Sequence, residues 1–434
     1  MLQLRTMTLN DSKVPEWVAS TNIYEVNLRQ YTKEGTLRAF AKHLPRLKDM
    51  GVEIIWFMPV TPISVKNRKG TLGSYYACSS YVQVNPEFGT MDDFKNIVAQ
   101  IHGLGMKVII DWVANHTGWD HEWTVAHPEY YNRNTDGSFK PPVENWEDVI
   151  HLNFNNPQLR EAMIDAMKFW VDECNIDGFR CDMAMLVPLD FWLEARKELD
   201  AIRPLFWLGE FDQWGGDEPY ALAFDVSYSW HWMHISETFY KKQQKLAVLD
   251  DALSGYQIKQ PYHHIRSFFT TNHDENSWNG TEYEKYGDAA LAFAVFSCIW
   301  NGIPLIYSGQ ELPNHKRLAF FDKDEIKWKA QPKLHEFYQT LLRFRKQHPA
   351  LRAANRNVIT WRIATTELEH LFSFVRRSGS REVITVLNLC DKKHKFHIND
   401  TRIGGSYIDL FTGKEHQLTE QFVLPPWGYM VLHK

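Results

Sequence analysis

Short apolar runs of strand length alternate along this chain with longer stretches whose apolar residues recur every three or four positions. The first run, "NIYEVNL" at 22–28, precedes "TLRAFAKHLPRLKDMG", which predicts a helix ended by Gly51, and then comes "VEIIWFMPV". That is a β-α-β unit. The alternation continues with "DDFKNIVAQIHGLG" as helix, "MKVIIDWV" as strand, a helix near 158–174 and the strand "GFRCDMA" at 178–184. A helix near 190–201, the strands "LFWLGEF", "AFDVSYS" and "IRSFFTTN", an apolar helix near 287–300, the strand "IPLIYSG" and the helix "LHEFYQTLLRFRKQH" complete the series. Eight strands, with room for a helix after each, predict an α/β fold of the (β/α)₈ TIM-barrel type.

Two stretches break the alternation. Residues 115–153, with "DHEW", "RNTDGSF" and "KPPVENWED", are rich in turn formers and tryptophan and predict a short insertion domain after the third strand. Beyond residue 350 the pattern is purely β: "LFSFVRRSGSREVITVLNL" reads as a hairpin and "FVLPPWGYMVL" as a closing strand. The predicted division is therefore barrel at 1–114 and 154–350, insertion at 115–153, and a C-terminal antiparallel β-sandwich at 351–434.

A net charge of −5 without a sustained basic run argues against nucleic acid as a partner. The longest apolar run, "LAFAVFSCIW" at 291–300, is too short to span a bilayer, so no membrane partner is expected. No basic and apolar leader precedes "NDSKVPEWV", and five cysteines lie in mostly apolar settings without a close-spaced metal pattern. Both features predict a cytoplasmic protein with reduced thiols. Oligomeric state is not legible.

The polar residues within the strands carry the chemistry. Side chains alternate along a strand, so Arg180 and Asp182 share one face of "GFRCDMA" while Phe179, Cys181 and Met183 take the other. A lone Arg-x-Asp is more often a structural ion pair than a functional one. Context changes this. Asp111, Asn115 and His116 fall at the C-terminal end of strand three, Glu210 at that of strand five, and His273 and Asp274 at that of strand seven. Barrel enzymes place their catalytic groups at this end.

"DWVANH" (111–116), "GFRCDMA", "LGEF" (208–211) and "TTNHDEN" (270–276) resemble, in order and spacing, the four signature regions of the α-amylase family, glycoside hydrolase family 13. "GSYYACSSYVQVNPEFGTMDDF", "NGIPLIYSGQE" and "LPPWGYMVL" are similar too, so the likeness covers most of the chain. The resemblance implies a retaining α-glucan hydrolase acting on α-1,4 bonds of starch, glycogen or maltooligosaccharides. In it Asp182 is the nucleophile, Glu210 the acid/base and Asp274 the third carboxylate. His116 and His273 would bind sugar hydroxyls, Tyr76 would stack on the ring, Arg180 would keep Asp182 ionised, and Asp111 would hold Arg180. A transglycosylase, α-glucosidase or glucosyl isomerase could use the same site. A non-catalytic binding protein is disfavoured by the intact carboxylates. A metal-dependent barrel hydrolase is disfavoured by the lack of a close His-x-His pair after the first strand.

The chain departs from the family's pattern in places. Met185 and Leu186 stand where many relatives carry a Lys-His pair that contacts the leaving-group side, and "YYACSSY" lacks an aspartate after the stacking tyrosine. No cofactor is required. Calcium is admitted, with Asn115 as the matching ligand, but His151 stands where many relatives have an aspartate, and Asp120 is the nearby substitute. Of the 17 tryptophans, Trp112, Trp119, Trp123, Trp146, Trp214 and Trp278 fall in or near the loops of the active face. More than half of these are expected to be packed, the rest to offer stacking surfaces.

Overall fold

The computed structural model describes residues 14–212, 218–259 and 264–434. Eight parallel strands close in chain order into a barrel: β1 (Ile23–Val26), β2 (Ile54–Phe57), β3 (Lys107–Trp112), β4 (Gly178–Cys181), β5 (Phe206–Gly209), β6 (Val226–Tyr228), β7 (Ile265–Phe268) and β8 (Ile303–Tyr307). Each of the eight predicted strands contains one of them.

Strand alternation sorts the side chains between two cores. Ile23, Ile54, Trp56, Ile109, Phe206, Leu208, Val226, Ile303 and Leu305 fill the barrel interior, while Tyr24, Ile55, Phe57, Val108, Ile110, Phe179 and Trp207 pack outward under the helices. Glu25, Asp111, Arg180 and Glu210 have the interior parity and are all buried, so the barrel's upper layer is charged where its lower layers are apolar. The register sets Asp111 beside Arg180, and Cys181 beside Gly209, which brings Asp111, Asp182 and Glu210 to adjacent strand ends.

Local signals account for most helices. Thr90 and Asp93 form a reciprocal capping box on Met91–Gly103, and Asn156 caps Pro157–Cys174 with Pro157 in its first turn. Gly51 ends its helix in the left-handed conformation, φ 95°. The stretch before it is not one helix, however. It splits into Leu37–Ala41 and Leu44–Met50, because Pro45 lacks the N–H to continue the earlier helix and instead starts the second. After β6 stand two helices, Trp230–Lys242 and Ala247–Lys259, that the apolar pattern did not announce.

The insertion contains an antiparallel pair, His116–Gly118 with Val149–His151, which ties its two ends together beside β3. The C-terminal region is antiparallel: a six-stranded sheet and a two-stranded one. The hairpin Leu371–Ser378 with Arg381–Asn388 is as expected. The closing segment is not a single strand. Phe422–Leu424 pairs with His394–Phe396, the turn at Pro425 to Gly428 interrupts the chain, and Tyr429–His433 joins the larger sheet. Two consecutive prolines cannot donate to a ladder, which is why the run breaks there. Among the described residues, no helix is long and apolar enough to cross a membrane.

Candidate active site

At the C-terminal end of the barrel, Arg180 is the hub. Its Nη1 donates to Asp111 Oδ1 at 2.8 Å and to Asp182 Oδ1 at 2.9 Å, and its Nε donates to the Tyr228 hydroxyl at 3.2 Å. Nη2 lies 2.8 Å from Glu210 Oε2, close enough to pair charges but out of line for a hydrogen bond. Trp56, Tyr76 and Tyr228 wall the guanidinium at 5.1, 5.7 and 5.8 Å from their ring centres. One fully buried cation therefore serves three carboxylates.

Burial pushes the carboxyls of Asp111, Asp182 and Glu210 upward, Asp111 to about 7, with Arg180 opposing the shift in each. Three acids around one arginine cannot all stay ionised cheaply. Asp111 accepts from both Arg180 and the Tyr76 hydroxyl, the latter at 3.0 Å, and Asp182 accepts an aligned bond from Arg180. Glu210 accepts only the Met183 N–H, at 2.8 Å. The geometry thus favours the proton on Glu210 and the negative charge on Asp182. Met183 presents that N–H from a left-handed backbone, φ 39°, directly after strand β4, so the turn and not the strand carries Asp182.

A second relay runs beside the first. His273 Nδ1 meets Glu25 Oε1 at 2.5 Å, and its Nε2 meets the Tyr76 hydroxyl at 2.7 Å and Asp274 Oδ2 at 3.3 Å. Burial opposes the imidazolium, but Asp274 and Glu25 together outweigh it and raise His273 to about 9. Tyr76 stacks on the His273 ring, 5.4 Å between centres.

A cavity of about 450 Å³ opens over these groups. Asp182, Glu210, Asp274, Tyr76 and His116 line it; Arg180, Asp111 and His273 lie buried behind its floor. Burial lowers His116 to about 4, which makes it a neutral imidazole near pH 7. Trp146 packs edge-on against it. Trp146 and Trp278 reach the cavity, whereas Trp112 is a buried residue of β3, and Trp119 and Trp123 pack against Phe139 and Tyr130. Trp214 lies outside the described residues.

Sequence reasoning missed several wall residues. Phe320 and Phe321 come from the segment after β8, and Lys69, from the loop after β2, pairs with Asp148 of the insertion at 3.1 Å across the rim. Irregular loops carry no periodicity that would reveal them. Glu25 and Tyr228 were hidden inside strands that read as apolar, although an acid with interior parity in a barrel strand was a usable signal.

The calcium set does not fit. Asn115 Oδ1 is a buried acceptor without a partner, but a hard cation wants six or more oxygens. His151 faces Asn132 through Nδ1, and Asp120 Oδ2 accepts from the Val65 and Lys66 N–H groups. No trio of acidic, histidine or cysteine side chains converges at Asn115 among the described residues.

The model of the alpha-amylase catalytic domain matches residues 8–148 and 143–331. Alpha-amylase 2 of Dictyoglomus thermophilum is 24% identical over 449 residues, covering 94% of this chain and 75% of the relative. Alpha-amylase MalA of Haloarcula japonica is 28% identical over 397 residues, 86% of this chain and 56% of that one. Among solved structures, the maltogenic alpha-amylase AmyB from Thermotoga neapolitana superposes with a TM-score of 0.87 at 28% identity, covering 96% of this chain and 99% of that one. An alpha-amylase from Lactobacillus plantarum reaches 0.87 at 29% identity, with 96% and 100% covered. On this match the chain belongs to the alpha-amylase family of retaining glycoside hydrolases.

Proposed function

We propose that this chain is an α-amylase-like enzyme that cleaves α-1,4-glucosidic bonds in starch, glycogen or maltooligosaccharides, with the division into barrel, insertion and C-terminal domain predicted above. Asp182 attacks the anomeric carbon and Glu210 protonates the leaving oxygen. Once the aglycone has left, Glu210, now ionised, takes a proton from water, which attacks the glycosyl–Asp182 ester. Configuration is retained through two inversions. Asp274 binds hydroxyls of the reacting sugar, His273 orients Asp274 and Tyr76 from behind the floor, and Tyr76, His116, Trp146 and Trp278 supply the walls.

The observation that carries this reading is Arg180 held against Asp111, Asp182 and Glu210 at once. The two reacting carboxyls share one guanidinium, Asp182 on its Nη1 and Glu210 on its Nη2. A shared guanidinium keeps them close, which supports the direct attack of a retaining enzyme over a pair held apart around a water. No step requires a metal ion, and free thiols throughout suit a reducing, cytoplasmic setting. Product analysis on maltoheptaose, with and without added glucose, tests the reading. Shorter maltooligosaccharides in both cases support hydrolysis; products elongated on glucose would assign transglycosylation, and intact substrate would refute the enzyme.

A further inference from the structure

A second convergence of reactive side chains lies in the C-terminal region. His370 ends the turn before strand Leu371–Ser378, Cys390 lies just past Arg381–Asn388, and His394 opens the strand His394–Phe396. Pairing of Leu371 with Asn388 brings the three together. One ligand atom from each lies within 4.8 Å of the others. His394 Nε2 is 3.1 Å from Cys390 Sγ, and the rings of His370 and His394 sit 4.7 Å apart.

An S–H···N hydrogen bond would account for Cys390 and His394 alone. It does not account for the surroundings. Glu367 Oε2 stands 3.2 Å behind His394 Nδ1, the carboxylate–histidine arrangement that fixes the tautomer and aims Nε2 at a metal. The Lys392 N–H donates to Cys390 Sγ at 3.3 Å, and Asn388 Nδ2 pins the loop through the Lys392 and Pro425 carbonyls at 2.7 and 2.6 Å. Cys390 is also the one cysteine of five that is not buried. His370 and Cys390 face a cavity of about 980 Å³ between the barrel helices and the C-terminal region, so water can enter from that side.

We propose that His370, Cys390 and His394 form a binding site for a borderline-soft divalent metal ion, zinc first, with water from the cavity as fourth ligand. One sulfur and two imidazole nitrogens in a tetrahedral set suit zinc and exclude calcium and magnesium, which take oxygen. On binding, the Cys390 thiol gives its proton to solvent and its sulfur bonds the ion as thiolate, while both histidines bind as neutral imidazoles. The ion ties the turn at 366–370 to the segment at 389–394. It is remote from the catalytic cleft and independent of the hydrolytic reading.

The test uses the full chain and Co²⁺ alone, followed by competition with Zn²⁺. We expect one equivalent of cobalt to give a thiolate-to-metal charge-transfer band in the near ultraviolet with tetrahedral d–d bands in the visible, and zinc to displace it. Cys390→Ser removes the charge-transfer band, and His370→Gln and His394→Gln each weaken zinc binding at least tenfold. Zinc raises the thermal midpoint of the wild type and not that of Cys390→Ser, whose starch-degrading activity and circular dichroism stay as in the wild type. A missing charge-transfer band in the wild type, or one that persists in Cys390→Ser, overturns the site.

Discussion

Replacing Glu25 by glutamine removes one charge and almost no volume from the relay behind the cleft. Glu25 Oε1 sits 2.5 Å from His273 Nδ1, with both side chains buried. Unit charges about 4 Å apart interact by about 4 kcal/mol at an effective dielectric of about 20, which is about three pKa units. Without Glu25, Asp274 alone opposes burial, and His273 falls from about 9 back towards its ordinary range. The sign of the stability change follows. A histidine raised above its unfolded value of about 6.5 contributes stability that is fully present below that pH and is lost as pH rises through about 9. For the wild type this is about 3 kcal/mol between those limits, and in Glu25→Gln the contribution shrinks to what Asp274 alone sustains. Urea unfolding of both proteins at pH 6.5 and 9 measures it as the difference of differences. In parallel kcat/KM at pH 7.5 should fall about 10- to 100-fold, the worth of the charged hydrogen bond by which His273 positions Asp274. Equal alkaline sensitivity of the two proteins would refute the assignment of His273 as an imidazolium held by Glu25.

Asp182→Asn keeps the hydrogen-bonding shape but loses the attacking anion, so turnover of maltoheptaose should fall by about four orders of magnitude or more, measured as reducing ends released. Trp278→Ala removes a half-exposed wall of the cavity and should raise KM several-fold with kcat nearly unchanged, which steady-state kinetics on the same substrate separates. EDTA should leave maltoheptaose hydrolysis within about twofold, because no cluster of carboxylates gathers at Asn115 among the described residues and Asp120 is engaged by the Val65 and Lys66 N–H groups; loss restored by calcium alone would contradict that.

The barrel was legible because its strands are apolar on both faces and its helices on one, two periods that differ plainly. The candidate site was legible for the opposite reason: Arg180, Asp182 and Glu210 are charges where the pattern demands apolar residues. Glu25 breaks the same rule, yet one acid inside "NIYEVNL" has no charged neighbour in sequence; its partner His273 is 248 residues away. Trp230–Lys242 was hidden because aromatic and polar residues alternate closely at its start, "WHWMH", a strand-like period. The broken closing strand shows the converse, where "FVLPPWGYMVL" has strand composition and only Pro425 and Pro426 mark the break. Phe320 and Phe321 stayed unseen because long-range chain return, and no local pattern, brings them over the cleft.

The central claim is that Asp182 forms a glycosyl ester whose making and breaking both depend on Glu210. Glu210→Gln keeps the side chain's shape and removes its proton, so natural oligosaccharides should hardly react. An α-maltosyl fluoride needs little acid help to depart, and the ester it leaves lacks a base to activate water. Incubating the variant with that fluoride and measuring the intact mass and the digested peptides should therefore reveal one added maltosyl unit, located on Asp182. Azide, which needs no base, should release it as the α-configured glycosyl azide. An unlabelled protein with no azide rescue, or a label on another residue, would contradict the account.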